Sequence, residues 1–261
     1  MLPLFVQKMH NRLRRKLWGT PLSVVPTMFR AEAKRDGTIA AEIASYEKTA
    51  GFAHSQGSLP LRTLIRIENL LTGTSIASAE TGCGKSTIFL SRISNKHKVF
   101  CLDDREEGES SSVAYFMNCP ATRLETVETV FGPTQATLPA YKDHVPYDLV
   151  LIDGPHGFPF PDLEYFYFYP HLKTDGLLVV DDIHIPTIGR LADFISEDRM
   201  FEKVEFIGAT AVFRRTDAPV FDPFGDGWWF QDYNRRRADF AKYFLLRDGK
   251  RRKSITFEGK F

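Results

Sequence analysis

The spacing of apolar residues divides the chain into parts with different grammars. Across residues 1–70 the apolar positions recur at helical intervals. They are clearest in 39–50 and 61–71, where one face of each stretch is apolar and the other polar. From Thr74 onward, short apolar runs alternate with helical stretches. Residues 75–79, 98–102, 128–131, 147–152 and 176–180 read as strands. Between the first two, Ile88, Phe89 and Ile93 give a helix its apolar face. Residues 204–207 and 209–214 read as a closing pair of strands around Gly208. After Asp217 the pattern breaks at Pro219, Pro223, Gly225 and Gly227. Trp228, Trp229 and Phe230 follow, then a basic helix expected over 234–246.

Strands separated by helices require crossovers, and crossovers imply a parallel sheet covered on both faces. The near-continuous apolar runs agree, because such strands are buried on both sides. The expected fold is α/β: a Rossmann-like, doubly wound, seven-stranded, mostly parallel sheet. A helical N-terminal region (1–70) precedes the sheet domain (71–217), and a loop-rich extension with a basic tail (218–261) follows it. In this architecture ligands bind beyond the carboxyl ends of the strands. Polar residues at those ends are therefore the candidate chemistry. Glu80 follows the first strand, Asp103 and Asp104 the second, and Thr134 and Gln135 the third; Asp153 ends the fourth, and Asp181 and Asp182 end the fifth.

Charge changes this picture little. The formal net charge is +1, which argues against a dedicated nucleic-acid binder. Basic residues do cluster at Arg12–Lys16, at Arg235–Arg237 and at Lys250–Lys253. Solvated faces and tails explain such clusters, and peripheral contact with an acidic partner or a membrane surface is the sharper alternative. Three cysteines, Cys83, Cys101 and Cys119, make no disulfide framework and fit a reducing cytoplasm. No apolar run reaches the roughly 20 residues that span a bilayer, and residues 1–6 are too short for a signal-peptide core.

The stretch Ser78-Ala79-Glu80-Thr81-Gly82-Cys83-Gly84-Lys85-Ser86-Thr87 reads two ways. Its end matches a phosphate loop, G-x-x-x-x-G-K-[ST], whose amides wrap a nucleotide's phosphates. The first glycine of that pattern falls on Ala79, so the match is incomplete. Its middle is a glycine turn between strand and helix, as in dinucleotide-like cofactor sites. Asp103 and Asp104 then stand where an acidic residue accepts ribose hydroxyls. NAD stays open on this ground, although Thr87 occupies the last glycine position of G-x-G-x-x-G.

Residues 74–215 resemble class I S-adenosylmethionine-dependent methyltransferases, most closely the catechol-type, magnesium-dependent O-methyltransferases and their broader relatives. The resemblance is carried by three segments. Gly132-Pro133-Thr134-Gln135 is similar to the family's segment after its third strand, where a Ser-Gln pair lies by the adenine. Residues 147–156, YDLVLIDGPH, look like the fourth strand and its acidic end. Residues 176–184, GLLVVDDIH, look like the fifth strand and its acidic pair.

The resemblance implies an enzyme that moves a methyl group from S-adenosylmethionine to a hydroxyl of a small molecule or sugar. It implies a cofactor site of Glu80, Gly82, Gly84, Ser86, Asp103, Asp104, Thr134, Gln135 and Asp153. It also implies a Mg2+ site of Asp153, Asp181 and Asp182, in a magnesium-assisted version of the reaction. The family's catalytic lysine position is His156 here, so His156 is the expected base, with His184 a second candidate. The glycine turn departs from the family's E-x-G-x-G-x-G. Aligned on Glu80, Ser86 replaces the last glycine; aligned on Gly84-Lys85-Ser86, Ser78 takes the acidic position. Phe158 and Phe160 are candidates for the acceptor pocket wall, and Trp228 and Trp229 for its cap. A P-loop NTPase or kinase and a non-catalytic cofactor-fold binding protein are the competing readings, and the reading allows a homo-oligomer.

Overall fold

The structure, a computed structural model, describes residues 38–50, 58–73 and 76–237. The basic clusters at 12–16 and 250–253 and the expected helix beyond residue 237 lie outside the described residues.

Seven strands form one sheet: β1 (Ala77–Thr81), β2 (Lys96–Cys101), β3 (Val127–Phe131), β4 (Tyr147–Ile152), β5 (Leu172–Val180), β6 (Phe201–Ile207) and β7 (Thr210–Arg215). Their order is β3-β2-β1-β4-β5-β7-β6. The first five pair in parallel, and β7 runs antiparallel to both β5 and β6. This is the expected doubly wound sheet. The order reverses between β1 and β4, so a crevice opens where their carboxyl ends diverge.

The side-chain period of two splits each central strand between two cores. Val150 and Ile152 face one side, with Phe100, Leu178 and Val180. That side is covered by α5 (Thr134–Ala140), α6 (Phe160–Phe168) and α7 (Pro186–Glu197). Leu149 and Leu151 face the other side, with Val99, Leu177 and Val179. There the cover is α1 (Thr38–Ala50), α2 (Leu61–Leu70), α3 (Lys85–Ile93) and α4 (Ser112–Asn118).

Ile43 of α1 and Leu64 and Ile67 of α2 are buried in that same core. The extension returns to the body through α8 (Asp232–Arg237), where Arg199 pairs with Asp232 at 2.9 Å and Arg237 pairs with Glu197. No described helix is long and apolar enough to cross a membrane.

Candidate active site

The turn after β1 is short. Only Gly82, Cys83 and Gly84 separate strand from helix, and both glycines have positive φ, 78° and 144°. A β-carbon on Gly82 would sit 2.3 Å from the carbonyl oxygen of Asp153. Glycine is thus what lets β1 and the end of β4 close together.

Beneath the turn lies a buried polar network. Ser78 Oγ hydrogen-bonds Ser94 Oγ at 2.7 Å and His97 Nδ1 at 2.8 Å. His97 Nε2 lies 3.1 Å from Glu80 Oε1, to which the Thr87 hydroxyl also donates. Thr87 Oγ1 accepts the amide of Gly84 at 2.9 Å. Glu80 is fully buried and does not line the pocket, so the expected direct cofactor contact is replaced by support of the turn from below.

A cavity of about 650 Å³ opens at the switch point. Gly82, Cys83, Lys85 and Ser86 form one wall, and Cys101, Leu102 and Asp104 stand after β2. Gly132, Thr134 and Gln135 follow β3, and residues 153–156 and Phe160 follow β4. Ser58 and Leu59 also reach it from the helical region.

Of the expected cofactor residues, Glu80, Gly84 and Asp103 are not on this wall. Asp103 turns outward to Arg105, 2.6 Å away, and that guanidinium holds its carboxyl below the usual range. Asp104 turns inward. Burial opposes its charge, but the Ser111 hydroxyl (2.6 Å) and the amides of Val113 (3.0 Å) and Ser112 (2.7 Å) outweigh that and hold its pKa down. A carboxylate offers about four acceptor positions, so roughly one is left for a ligand hydroxyl.

The turn does not build a phosphate loop. Ala79 is a buried strand residue, and the Lys85 ammonium pairs with Glu47 of α1 at 2.8 Å. Tyr115 donates to the same Glu47 oxygen at 2.9 Å. Three turn residues are too few to wrap phosphates with successive amides.

Beyond the ends of β4 and β5, Asp153, His156 and Asp182 gather. One ligating atom from each lies within 4.8 Å of the others. His156 Nε2 is 3.4 Å from Asp182 Oδ2, and His184 Nδ1 is 3.5 Å from Asp182 Oδ1. Burial pushes the Asp153 carboxyl well above its ordinary range, reinforced by Asp181, Glu80, Asp182 and Glu164.

Asp181 does not join this cluster. Its Oδ1 accepts the Thr210 hydroxyl of β7 at 2.5 Å, and it is nearly fully buried. Consecutive residues at a strand end point to opposite sides, and Asp182 takes the left-handed conformation with φ 54°. The all-carboxylate magnesium set expected from Asp153, Asp181 and Asp182 is therefore not assembled. Among the expected aromatic walls, Phe160 lines the cavity, whereas Phe158 stacks on Arg190 and is 70% exposed. Trp228 and Trp229 pack edge to face with each other and do not line it.

Sequence reasoning missed Glu164. This fully buried residue of α6 accepts the Thr81 hydroxyl at 2.7 Å, and Thr81 Oγ1 accepts the Asp153 amide at 3.1 Å. Burial raises its pKa to about 7. A single acid within an aromatic helix carries no motif, so the signal was absent from the sequence.

Residues 79–183 match a family described as a methyltransferase domain. No curated protein matches the chain. Among solved structures, a candidate caffeoyl-CoA O-methyltransferase from Staphylococcus aureus superposes with a TM-score of 0.52 at 12% identity, covering 69% of this chain and 93% of its own. The O-methyltransferase from Bacillus cereus in complex with S-adenosylhomocysteine (SAH) gives 0.50 at 13%, covering 74% and 93%. The SAH-bound Podospora anserina methyltransferase PaMTH1 gives 0.50 at 11%, covering 74% and 100%. The fold is that of the class I methyltransferases.

Proposed function

We propose that the protein is an S-adenosylmethionine-dependent O-methyltransferase acting on a hydroxyl of a small molecule or saccharide. The observation that carries the reading is the cavity at the β1/β4 switch point, closed on one side by the Gly82 turn and lying within the matched domain. Its residues fit the cofactor. Asp104 keeps an acceptor position for a ribose hydroxyl, and Thr134 and Gln135 stand at the start of α5 for the adenine. Gly82, Lys85 and Ser86 face the end left for the amino-acid portion. Bound there, the cofactor supplies a methyl group on a sulfonium that leaves as a neutral thioether.

The chain's own work is placement. The cavity holds the acceptor hydroxyl in line with the methyl carbon and keeps bulk water away. The carbon–sulfur bond breaks as the carbon–oxygen bond forms. The hydroxyl proton is released to solvent, and the products are the methyl ether, SAH and H+. Ser58 and Leu59 on the wall support a part for the helical region in selecting the acceptor. The free thiols Cys83, Cys101 and Cys119 support a cytoplasmic setting.

Incubation with methyl-labelled S-adenosylmethionine and panels of catechols, sugars and other hydroxyl acceptors tests the reading. Label should appear in an alkali-stable ether of at least one acceptor. Label transfer confined to nitrogen acceptors contradicts it.

A further inference from the structure

The carboxylates at the acceptor end leave a specific problem. Asp153 sits among Asp181, Asp182, Glu80 and Glu164, yet its carboxylate accepts no hydrogen bond among the described residues. Recessed like charges without donors are strongly unfavourable, and either protonation or a bound cation relieves them. Asp181 is satisfied by Thr210 and points elsewhere. The group that does reach Asp153 and Asp182 is the imidazole of His156.

We propose that Asp153, His156 and Asp182 form a site for a divalent transition-metal ion of the Zn2+, Mn2+ or Fe2+ kind, with His156 as a ligand in place of Asp181. The spacing supports this. Two donors bound at about 2.1 Å with tetrahedral angles stand roughly 3.4 Å apart. His156 Nε2 and Asp182 Oδ2 are 3.4 Å apart.

The Thr187 hydroxyl bonds the His156 carbonyl at 2.5 Å and fixes the loop that carries the ring. A second imidazole, His184, lies 3.5 Å from the other oxygen of Asp182. The chemistry of the donors selects the ion. Magnesium takes oxygen ligands with octahedral geometry, whereas imidazole favours zinc and the later transition ions. An ion here would offset the clustered negative charge and lower the pKa of an acceptor hydroxyl. While ligated, His156 cannot also take the acceptor's proton, so the base role expected from the sequence is excluded whenever the metal is bound.

The inference rests on the methyl-transfer reading only for the ion's role; the site itself is tested without cofactor. The full chain, untagged and stripped with chelator, is titrated with Co2+, Zn2+ and Mg2+ by calorimetry. Zn2+ should bind one per chain at least tenfold tighter than Mg2+. His156→Ala should lose at least tenfold in Zn2+ affinity, and Asp181→Asn should bind Zn2+ as the parent does. The Co2+ form should show a hyperfine-shifted exchangeable imidazole proton in its NMR spectrum, absent from His156→Ala. That signature reports ligation independently of stability. Equal Zn2+ and Mg2+ affinities, or a His156→Ala variant that binds Zn2+ like the parent, overturn the proposal. Loss of metal binding in the parent with SAH binding intact overturns the metal site alone. Absent SAH binding overturns the methyl-transfer reading instead.

Discussion

The carbonyl oxygen of Asp153 lies 2.3 Å from the point that a β-carbon on Gly82 would occupy. Backbone atoms cannot yield as a flexible side chain can, and φ at Gly82 is 78°. The ends of β1 and β4 can therefore meet only around a glycine. Gly82→Ala should cost about 2 kcal/mol or more from backbone strain and overlap. For a domain of this size that corresponds to a fall in Tm of roughly 4–8 °C. Thermal unfolding followed by circular dichroism measures it, and an unchanged Tm would mean the turn is not closed as described.

Thr87 joins the turn to the network below it. Replacing it with Val removes the acceptor of the Gly84 amide and a donor to Glu80. Burial of the unpaired partners should cost about 1–3 kcal/mol. Under the proposed function the turn walls the cofactor and not the acceptor, so KM for S-adenosylmethionine should rise while KM for the acceptor stays put. Steady-state kinetics with each substrate varied in turn separates the two.

Asp103 and Asp104 are neighbours with opposite fates. Asp103→Ala should leave cofactor affinity within about twofold, since an exposed pair such as Asp103–Arg105 contributes little. Asp104→Asn should weaken it several-fold, because Asp104 faces the cavity. Calorimetric titration of both variants with SAH checks the contrast.

Glu164 ties folding to pH. Its folded pKa is about 7 against an ordinary 4.5. Between those values the folded chain keeps a proton that the unfolded chain releases. Its contribution is therefore fully present below pH 4.5, declines as pH rises to about 7, and is lost above that. The decline is on the order of 3 kcal/mol. Glu164→Gln, which resembles the protonated acid, should remove this part of the slope. Urea unfolding at pH 5 and pH 7.5 for parent and variant gives the difference directly.

The sheet was readable because buried parallel strands announce themselves as apolar runs. The expected strand 147–152 coincides with β4, and the bounds of the other strands differ from expectation by at most three residues, apart from β5, which begins at Leu172 and not at 176. The strand ends lie at the edge of the sheet where the cavity opens. What the sequence could not convey was which way each end residue turns. Asp181 and Asp182 are adjacent and chemically alike, yet one bonds Thr210 and the other faces His156. That choice depends on β7 arriving beside β5 and on the positive φ of Asp182. Asp103 and Asp104 differ for a similar reason: Asp104 accepts the amides of Ser112 and Val113 at the start of α4. Glu164 and Glu47 act across long sequence separations, and no local pattern announces such contacts.

Under the proposed function, the cavity beyond β1 and β4 holds S-adenosylmethionine. Calorimetric titration of the purified chain with SAH, and separately with ATP and Mg2+, tests it most directly. One SAH site per chain and no heat of binding for ATP are expected. Saturable ATP binding with none for SAH would contradict it.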